Sequence, residues 1–168
     1  MAKEIERKFL LKDDSWKKEV TFSSFFCQAY IPIRSGEKFC TQRVRIAGEK
    51  AFLTLKSNRG TDGESFTRNE FEYSIPLEDA RVILKDFCGN TVEKTRHIVP
   101  AGNMLRWEID EFSGENAGLV VAEIELPASQ SSFPIPAWLG EEVTHDHKYS
   151  NSFLAEHPYR KWEKDEKN

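Results

Sequence analysis

Residues 4–8 read Glu4-Ile5-Glu6-Arg7-Lys8, and they alternate in the way that a β-strand requires. Because successive side chains of a strand point to opposite faces, Glu4, Glu6 and Lys8 share one face. Ile5 and Arg7 lie on the other face. Two acids and a lysine on a single strand face indicate either a solvated surface or a site that binds charged groups.

Seven further segments show the same two-residue period, so the sequence predicts eight strands. The predicted strands cover about residues 3–10, 26–33, 38–46, 51–57, 66–75, 91–99, 105–112 and 119–126. Turn-forming stretches such as Ser35-Gly36 and Ser113-Gly114 separate them. Strands in hairpin-like succession are typical of an antiparallel sheet or barrel.

Helical periodicity is found in fewer segments. Residues 77–87 follow Pro76 and place apolar side chains at helical spacing. Residues 13–18 predict a short helix, and residues 149–162 predict one or two helices broken at His157-Pro158. No internal repeat or linker is evident, so we expect one domain of the α+β class over residues 1–168.

Like charges are doubled on single strand faces along the predicted sheet. The acidic pairs are Glu4 with Glu6, Glu70 with Glu72, Glu108 with Asp110 and Glu123 with Glu125, and the basic pairs are Arg43 with Arg45 and Lys94 with Arg96. A sheet with one solvated face explains the alternation of any one strand. Paired like charges gain little in water, whereas carboxylates bind Mg²⁺ or Mn²⁺ and basic side chains bind phosphate. We therefore expect the charges to line the interior of a closed eight-stranded barrel, which has room for one small ligand.

The overall composition narrows the class of protein. The chain has 24 basic and 28 acidic residues and a formal net charge of −4, so no basic excess favours nucleic acid or an anionic membrane. Its three cysteines lack CxxC spacing, which is typical of free thiols in a reducing compartment. Residues 1–11 contain no apolar signal region, and no apolar run reaches the length of a membrane span. We expect a cytoplasmic protein that binds neither nucleic acid nor membrane.

Taken in order, these motifs resemble the CYTH superfamily, also called triphosphate tunnel metalloenzymes. Residues 4–8 are similar to its ExExK signature, and residues 142–151 resemble its closing motif. Similar motifs lie between them in the family's order, at Arg43-Val44-Arg45, residues 53–56, Glu70-Phe71-Glu72, Lys94-Thr95-Arg96, residues 107–112 and residues 121–126. The resemblance covers about residues 3–155.

The resemblance implies an eight-stranded antiparallel tunnel in which a triphosphate is hydrolysed with a divalent metal. The implied ligands of Mg²⁺ or Mn²⁺ are Glu4, Glu6, Glu123 and Glu125. The implied triphosphate-binding residues are Lys8, Arg43, Arg45, Lys56, Lys94 and Arg96. The implied catalytic group comprises Lys8, Glu70, Glu72 and Asp110, with Arg68 and Glu108 in support and Tyr30 on the tunnel wall.

Several substrates fit the implied triphosphate site. Inorganic tripolyphosphate comes first, because a short chain of this kind resembles the family members that cleave it. The alternatives are a nucleoside or thiamine triphosphate, or the cyclisation of ATP by a class IV adenylate cyclase. A module that binds polyphosphate or nucleotides without turnover is a further alternative, although phosphate binding alone does not require so many carboxylates. The protein is expected to be a monomer or a homodimer.

Overall fold

The computed structural model describes residues 2–32, 40–57, 67–128 and 131–163, and leaves out the side chains of residues 2–4 and 67–68. Its strands are β1 (Ala2–Leu11), β2 (Phe22–Tyr30), β3 (Cys40–Ala47), β4 (Lys50–Ser57), β5 (Thr67–Ile75), β6 (Val92–Gly102), β7 (Leu105–Phe112), β8 (Val120–Glu125) and β9 (Leu139–Glu142). The helices are α1 (Leu77–Asp86) and α2 (Asn151–Glu156), and short 3-10 turns cover Ser15–Glu19, Gly114–Asn116, His147–Tyr149 and Tyr159–Lys161. The predicted turn at Ser35-Gly36 lies outside the described residues.

The nine strands of the described ranges form one antiparallel sheet in the order β5-β4-β3-β2-β6-β7-β8-β1-β9. Strand β1 has three partners along its length. Residues 2–5 pair with β5, residues 6–10 pair with β8, and Phe9 and Leu11 pair with β9. The prediction of an antiparallel sheet is confirmed, but the sheet is not the simple closed ring of eight strands that the sequence predicts.

The additional strand, β9, follows a proline-bearing stretch and is only four residues long, too short to show a two-residue period. It forms because Gly140 lets its backbone approach β1 closely. A Cβ atom at this position would lie 2.7 Å from the carbonyl oxygen of Leu10. The pairing therefore depends on the missing side chain at Gly140, while the neighbouring Leu139 is buried in the core.

The predicted helices are partly correct. Helix α1 matches the prediction for residues 77–87, whereas the predicted helix at 13–18 is a 3-10 turn. The predicted helix over 149–162 is wrong in extent, because α2 contains only six residues between two 3-10 turns. It ends at Glu156, just before the His157-Pro158 step at which the sequence predicts a break.

Apolar side chains cover the outer face of the sheet. Trp107 of β7 is buried in edge-to-face contact with Phe9 of β1 and with Trp138, which precedes β9. A second buried cluster joins β6, β7 and β8 to the C-terminal segment through Leu154 and Trp162. Its strand residues Val92, Phe112 and Val121 alternate in phase with the charged residues, so this cluster lies at one end of the inner face. Helix α1 covers part of β3 and β4. Because most of the hydrophobic core lies on the outer face, the charged side chains of the strands face inwards.

None of the helices in the described ranges is long and apolar enough to cross a membrane. Cys27, Cys40 and Cys88 are all free and half-buried, which agrees with the prediction of free thiols.

Candidate functional site

A cavity of about 530 Å³ lies along the inner face of the sheet, and strands β1 to β8 all contribute side chains to its wall. Most of the site residues predicted from the sequence meet here. They are Glu6, Lys8, Tyr30, Arg43, Arg45, Lys56, Glu70, Glu72, Lys94, Arg96, Glu108, Glu123 and Glu125. The alternation of side chains along the strands predicts a charged interior, and the structure places these residues around one cavity.

Three predicted residues are placed differently. Asp110 is fully buried behind the cavity wall, where its carboxylate pairs with Lys94 and Arg96. Glu4 and Arg68 are direct partners across the β1–β5 pairing, but their side chains lie outside the description.

The acidic end of the cavity is built by β1 and β8. Glu6 lies opposite Glu125, and Lys8 lies opposite Glu123. Lys8 Nζ is 2.9 Å from Glu123 Oε1 and 3.7 Å from Glu6 Oε1, and it donates a 3.4 Å hydrogen bond to the carbonyl oxygen of Tyr149. A single ammonium group therefore contacts two of the predicted metal ligands.

The charges in this cluster stabilise one another. Burial alone would lower the pKa of Lys8, but the Glu123 and Glu6 carboxylates outweigh it and raise that pKa above its ordinary value. Burial likewise acts to raise the pKa of Glu123, yet Lys8 and Arg96 hold it well below the usual range. Lys8 is thus a cation and Glu123 an anion across the physiological pH range.

Among the described side chains, no three Asp, Glu, His or Cys residues are already gathered into a metal site. The chemistry of the donors still fits a hard divalent cation. Glu6, Glu123 and Glu125 supply carboxylate oxygens from adjacent positions on β1 and β8, and such oxygens are the ligands that Mg²⁺ and Mn²⁺ prefer. Glu123 is at present bound to Lys8 and Arg96 instead.

One basic side of the cavity is organised by Asp110. Arg96 donates from Nε to Asp110 Oδ1 at 2.7 Å and from Nη2 to Oδ2 at 2.6 Å, and Lys94 binds the same carboxylate. Arg96 Nη2 also reaches Glu123 at 2.7 Å. Burial, followed by repulsion from Arg96, lowers the pKa of Lys94 to about 8 despite the attraction of Asp110.

The opposite basic side is organised by the acids of β5. Arg45 Nη2 lies 2.9 Å from Glu72 Oε2, and Lys56 Nζ lies 3.0 Å from Glu70 Oε2. Arg43 lies close to both acids. The Nε atoms of Arg43 and Arg45 are buried and have no hydrogen-bond partner within the described residues. The Nη2 atoms of both arginines bind the β5 acids, so the two guanidinium groups are oriented by carboxylates.

A sequence model of the CYTH domain matches residues 2–155, which is nearly the whole chain. The chain belongs to the CYTH family. The resemblance found in the motifs is thereby confirmed, and the antiparallel sheet around the cavity is the CYTH tunnel fold.

CYTH relatives of similar length support this assignment. An inorganic triphosphatase of Acetivibrio thermocellus is 42% identical over 161 residues, covering 95% of this chain and 97% of the relative. An inorganic triphosphatase of Nitrosomonas europaea is 35% identical over 162 residues, covering 90% and 96%. A crystal structure of an inorganic triphosphatase superposes with a TM-score of 0.65 at 30% identity, covering 92% of this chain and 95% of that one.

Sequence reasoning missed several residues of the CYTH cavity. They are Phe22, Ser24, Phe26, Thr41, Ile98, Arg106, Ser150, Asn151 and Ser152. Phe22 and Ser24 were missed because β2 begins four residues before its predicted start, and residues 22–25 show no clear alternation of apolar and polar side chains. Ile98 and Arg106 lie two positions from predicted residues on the same strand faces. Residues 150–152 reach the cavity through tertiary packing, and only the resemblance of residues 142–151 to the closing motif pointed to this segment.

Proposed function

We propose that this protein hydrolyses inorganic tripolyphosphate with the help of Mg²⁺ or Mn²⁺. The observation that carries the proposal is the cavity, where a wall of arginines and lysines meets a carboxylate cluster on β1 and β8. Relatives named inorganic triphosphatase, matched over almost their full length, favour this substrate over an organic triphosphate.

The substrate would lie between the two basic sides of the cavity. Arg43, Arg45 and Lys56 would bind one part of the phosphate chain, and Lys94 and Arg96 would bind another. Guanidinium groups suit phosphate because their planar N–H donors match its oxygens.

Glu4, Glu6, Glu123 and Glu125 would hold the metal. When bound, a divalent cation neutralises charge on phosphate oxygens and lowers the pKa of a coordinated water. Because Glu123 pairs with Lys8 and Arg96 in the ligand-free protein, these two cations would be released towards the phosphates. Glu123 would thus bind the metal ion in place of Lys8 and Arg96.

The remaining groups would position the reactants. Lys8 carries a permanent positive charge beside the acids and would stabilise negative charge that develops on the phosphoryl oxygens. Glu70, Glu72 and Asp110 would orient the basic side chains. Glu70 and Glu72 would also accept hydrogen bonds from the attacking water. Glu108 and Arg68 would support these three acids. Tyr30 would form part of the wall.

The proposed reaction is a direct displacement. Water attacks the terminal phosphorus of tripolyphosphate, and the bond from that phosphorus to the bridging oxygen breaks. Orthophosphate and pyrophosphate leave, and the proton lost by the water passes to solvent or to the products. No covalent intermediate with the protein is needed, because positioning and charge stabilisation supply the catalysis.

We further propose that β1 to β8 surround the substrate as a tunnel, with the β1–β5 pairing completing the wall. Residues 1–168 would form a single domain. The free thiols suit a reducing compartment such as the cytoplasm.

The test is phosphate release from tripolyphosphate, ATP and thiamine triphosphate, each with Mg²⁺, Mn²⁺ or EDTA. We expect the highest kcat/KM for tripolyphosphate and no turnover with EDTA. Preference for ATP with formation of cyclic AMP would instead identify a cyclase. Binding of all three compounds without any turnover would identify a binding module and overturn the proposal.

A further inference from the structure

Phe26 is an aromatic side chain on the mainly charged wall of the cavity. It is half-buried on β2, which lies between β3 and β6 in the sheet. The Cζ atom of Arg45 on β3 is 5.4 Å from the centroid of its ring, and the Cζ atom of Arg96 on β6 is 5.8 Å from it. One ring therefore contacts a guanidinium group from each neighbouring strand.

The two arginines carry like charges, and Arg96 has more ion-pair partners than Arg45. Arg96 is surrounded by three carboxylates, those of Asp110, Glu108 and Glu123. Arg45 has an ion pair with Glu72 and, in addition to Phe26, an aromatic contact with Phe52 at 5.5 Å. Burial lowers the pKa of Arg45, and repulsion from Arg43 and Arg96 lowers it further, whereas the Glu72 carboxylate acts in the opposite direction. The charged form of Arg45 is therefore electrostatically disfavoured at this position.

An aromatic ring suits this position better than a polar or an aliphatic side chain. The electron-rich face of the ring attracts a guanidinium group without using any of its N–H donors. A carboxylate in the same place would take up those donors and repel phosphate, and an aliphatic side chain would give no attraction. The Nε atom of Arg45 indeed has no hydrogen-bond partner among the described residues.

We propose that Phe26 is a positioning residue that holds the guanidinium groups of Arg45 and Arg96 on either side of the cavity, where both would bind one phosphate chain. The inference rests on the proposed triphosphatase function. Phe26 would set the distance between the two phosphate-binding sides without making a polar contact with substrate.

The first test compares Phe26→Leu with Phe25→Leu. Phe25 is the adjacent residue on the opposite face of β2 and is exposed, so it is a matched control for the loss of a ring. Loss of two cation–π contacts is expected to raise the KM for tripolyphosphate about tenfold in Phe26→Leu, with kcat within about twofold of wild type. Phe25→Leu should leave both values unchanged, and Phe26→Tyr should restore KM.

A packing role alone gives a different kinetic result. A partly unfolded variant has fewer active molecules, so kcat falls while KM stays the same. If Phe26→Leu shows that pattern, or matches Phe25→Leu in both constants, the positioning role is wrong.

The second test needs no turnover. Ring currents from Phe26 act on nearby protons, so NMR spectra of the Nε–Hε groups report the contact directly. Phe26→Leu should shift the resonances of Arg45 and Arg96 but not that of Arg7, which contacts Phe9 and Phe133 on the outer face. Unchanged Arg45 and Arg96 signals would refute the proposal. If wild-type protein does not hydrolyse tripolyphosphate, the proposed function fails, while this measurement still decides whether Phe26 positions the arginines.

Discussion

Lys8 Nζ lies 2.9 Å from Glu123 Oε1, and the two residues face each other directly across the β1–β8 pairing. This contact joins the two strands that carry the proposed metal ligands. It also keeps a cation beside carboxylates that would otherwise repel one another. Substrate and metal must rearrange this pair, so it is the first place to test the proposed function.

Replacing Glu123 by glutamine should abolish metal-dependent turnover. Glu123→Gln keeps the shape of the side chain but removes the charge proposed to bind metal. We expect kcat/KM for tripolyphosphate to fall about 100-fold or more, with the circular dichroism spectrum unchanged. Glu78→Gln on the exposed surface of α1 is the control and should behave as wild type. Full metal-dependent activity in Glu123→Gln would show that this residue is not a ligand.

Alkaline pH should weaken substrate binding through Lys94. Because burial and Arg96 lower the pKa of this lysine to about 8, its ammonium group loses a proton as the pH rises above that value. The cavity then loses one positive charge, so the KM for tripolyphosphate should rise between about pH 8 and pH 9.5. Lys94→Met, which is neutral throughout, should have a raised KM that does not change over the same range. A wild-type KM that stays constant up to pH 9.5 would contradict the assignment.

Tyr30 should act as a neutral hydrogen-bond donor to substrate. Burial raises the pKa of its phenol to about 12, so the proton is retained at any pH used for assay. Gln28 Nε2 donates to the phenol oxygen at 2.9 Å, which leaves the hydroxyl hydrogen available to an anion. Tyr30→Phe should raise KM about three- to tenfold, as expected for one neutral hydrogen bond. Tyr73→Phe, at an exposed position of β5, should have no effect. Equal KM values for the two variants would remove Tyr30 from the binding site.

The attachment of β9 should be sensitive to a single methyl group at Gly140. A Cβ atom there would lie 2.7 Å from the Leu10 oxygen and 3.1 Å from its carbonyl carbon, and backbone atoms of a paired strand cannot easily move aside. Gly140→Ala should lower the free energy of unfolding by about 1–3 kcal/mol, measured by urea denaturation. The control is Gly89→Ala, where a Cβ meets no atom within 4 Å and a change below about 0.5 kcal/mol is expected. Equal stability of the two variants would mean that β9 can shift without cost.

Much of the inner wall was predictable because strand alternation is a local property. Once Arg43 and Arg45, or Glu70 and Glu72, are assigned to one strand face, their common direction follows from backbone geometry. The closing of the acidic end was also predictable, since β1 and β8 are neighbours when the first and last long strands meet.

The remaining features depend on contacts that no local pattern records. Phe26 reads as an ordinary apolar strand residue, and its role appears only when Arg45 and Arg96 approach from two other strands. Asp110 is on the predicted face, yet it is buried behind two basic side chains instead of lining the cavity. Strand β9 and residues 150–152 are placed by docking onto β1 and the sheet, not by their own periodicity.

The pairing of β1 has a consequence for how the chain is made. Its partners β5, β8 and β9 are all distant in sequence, so a nascent chain carries β1 unpaired until β5 has left the ribosome. The edge that pairs with β8 stays open until residues beyond 120 have followed. An unpaired strand can join another chain and aggregate. Charged residues on an open strand oppose such contacts, and β1 has three in succession at Glu6, Arg7 and Lys8. Glu6 and Lys8, which are proposed to bind metal and phosphate in the folded protein, would therefore also oppose aggregation of nascent chains.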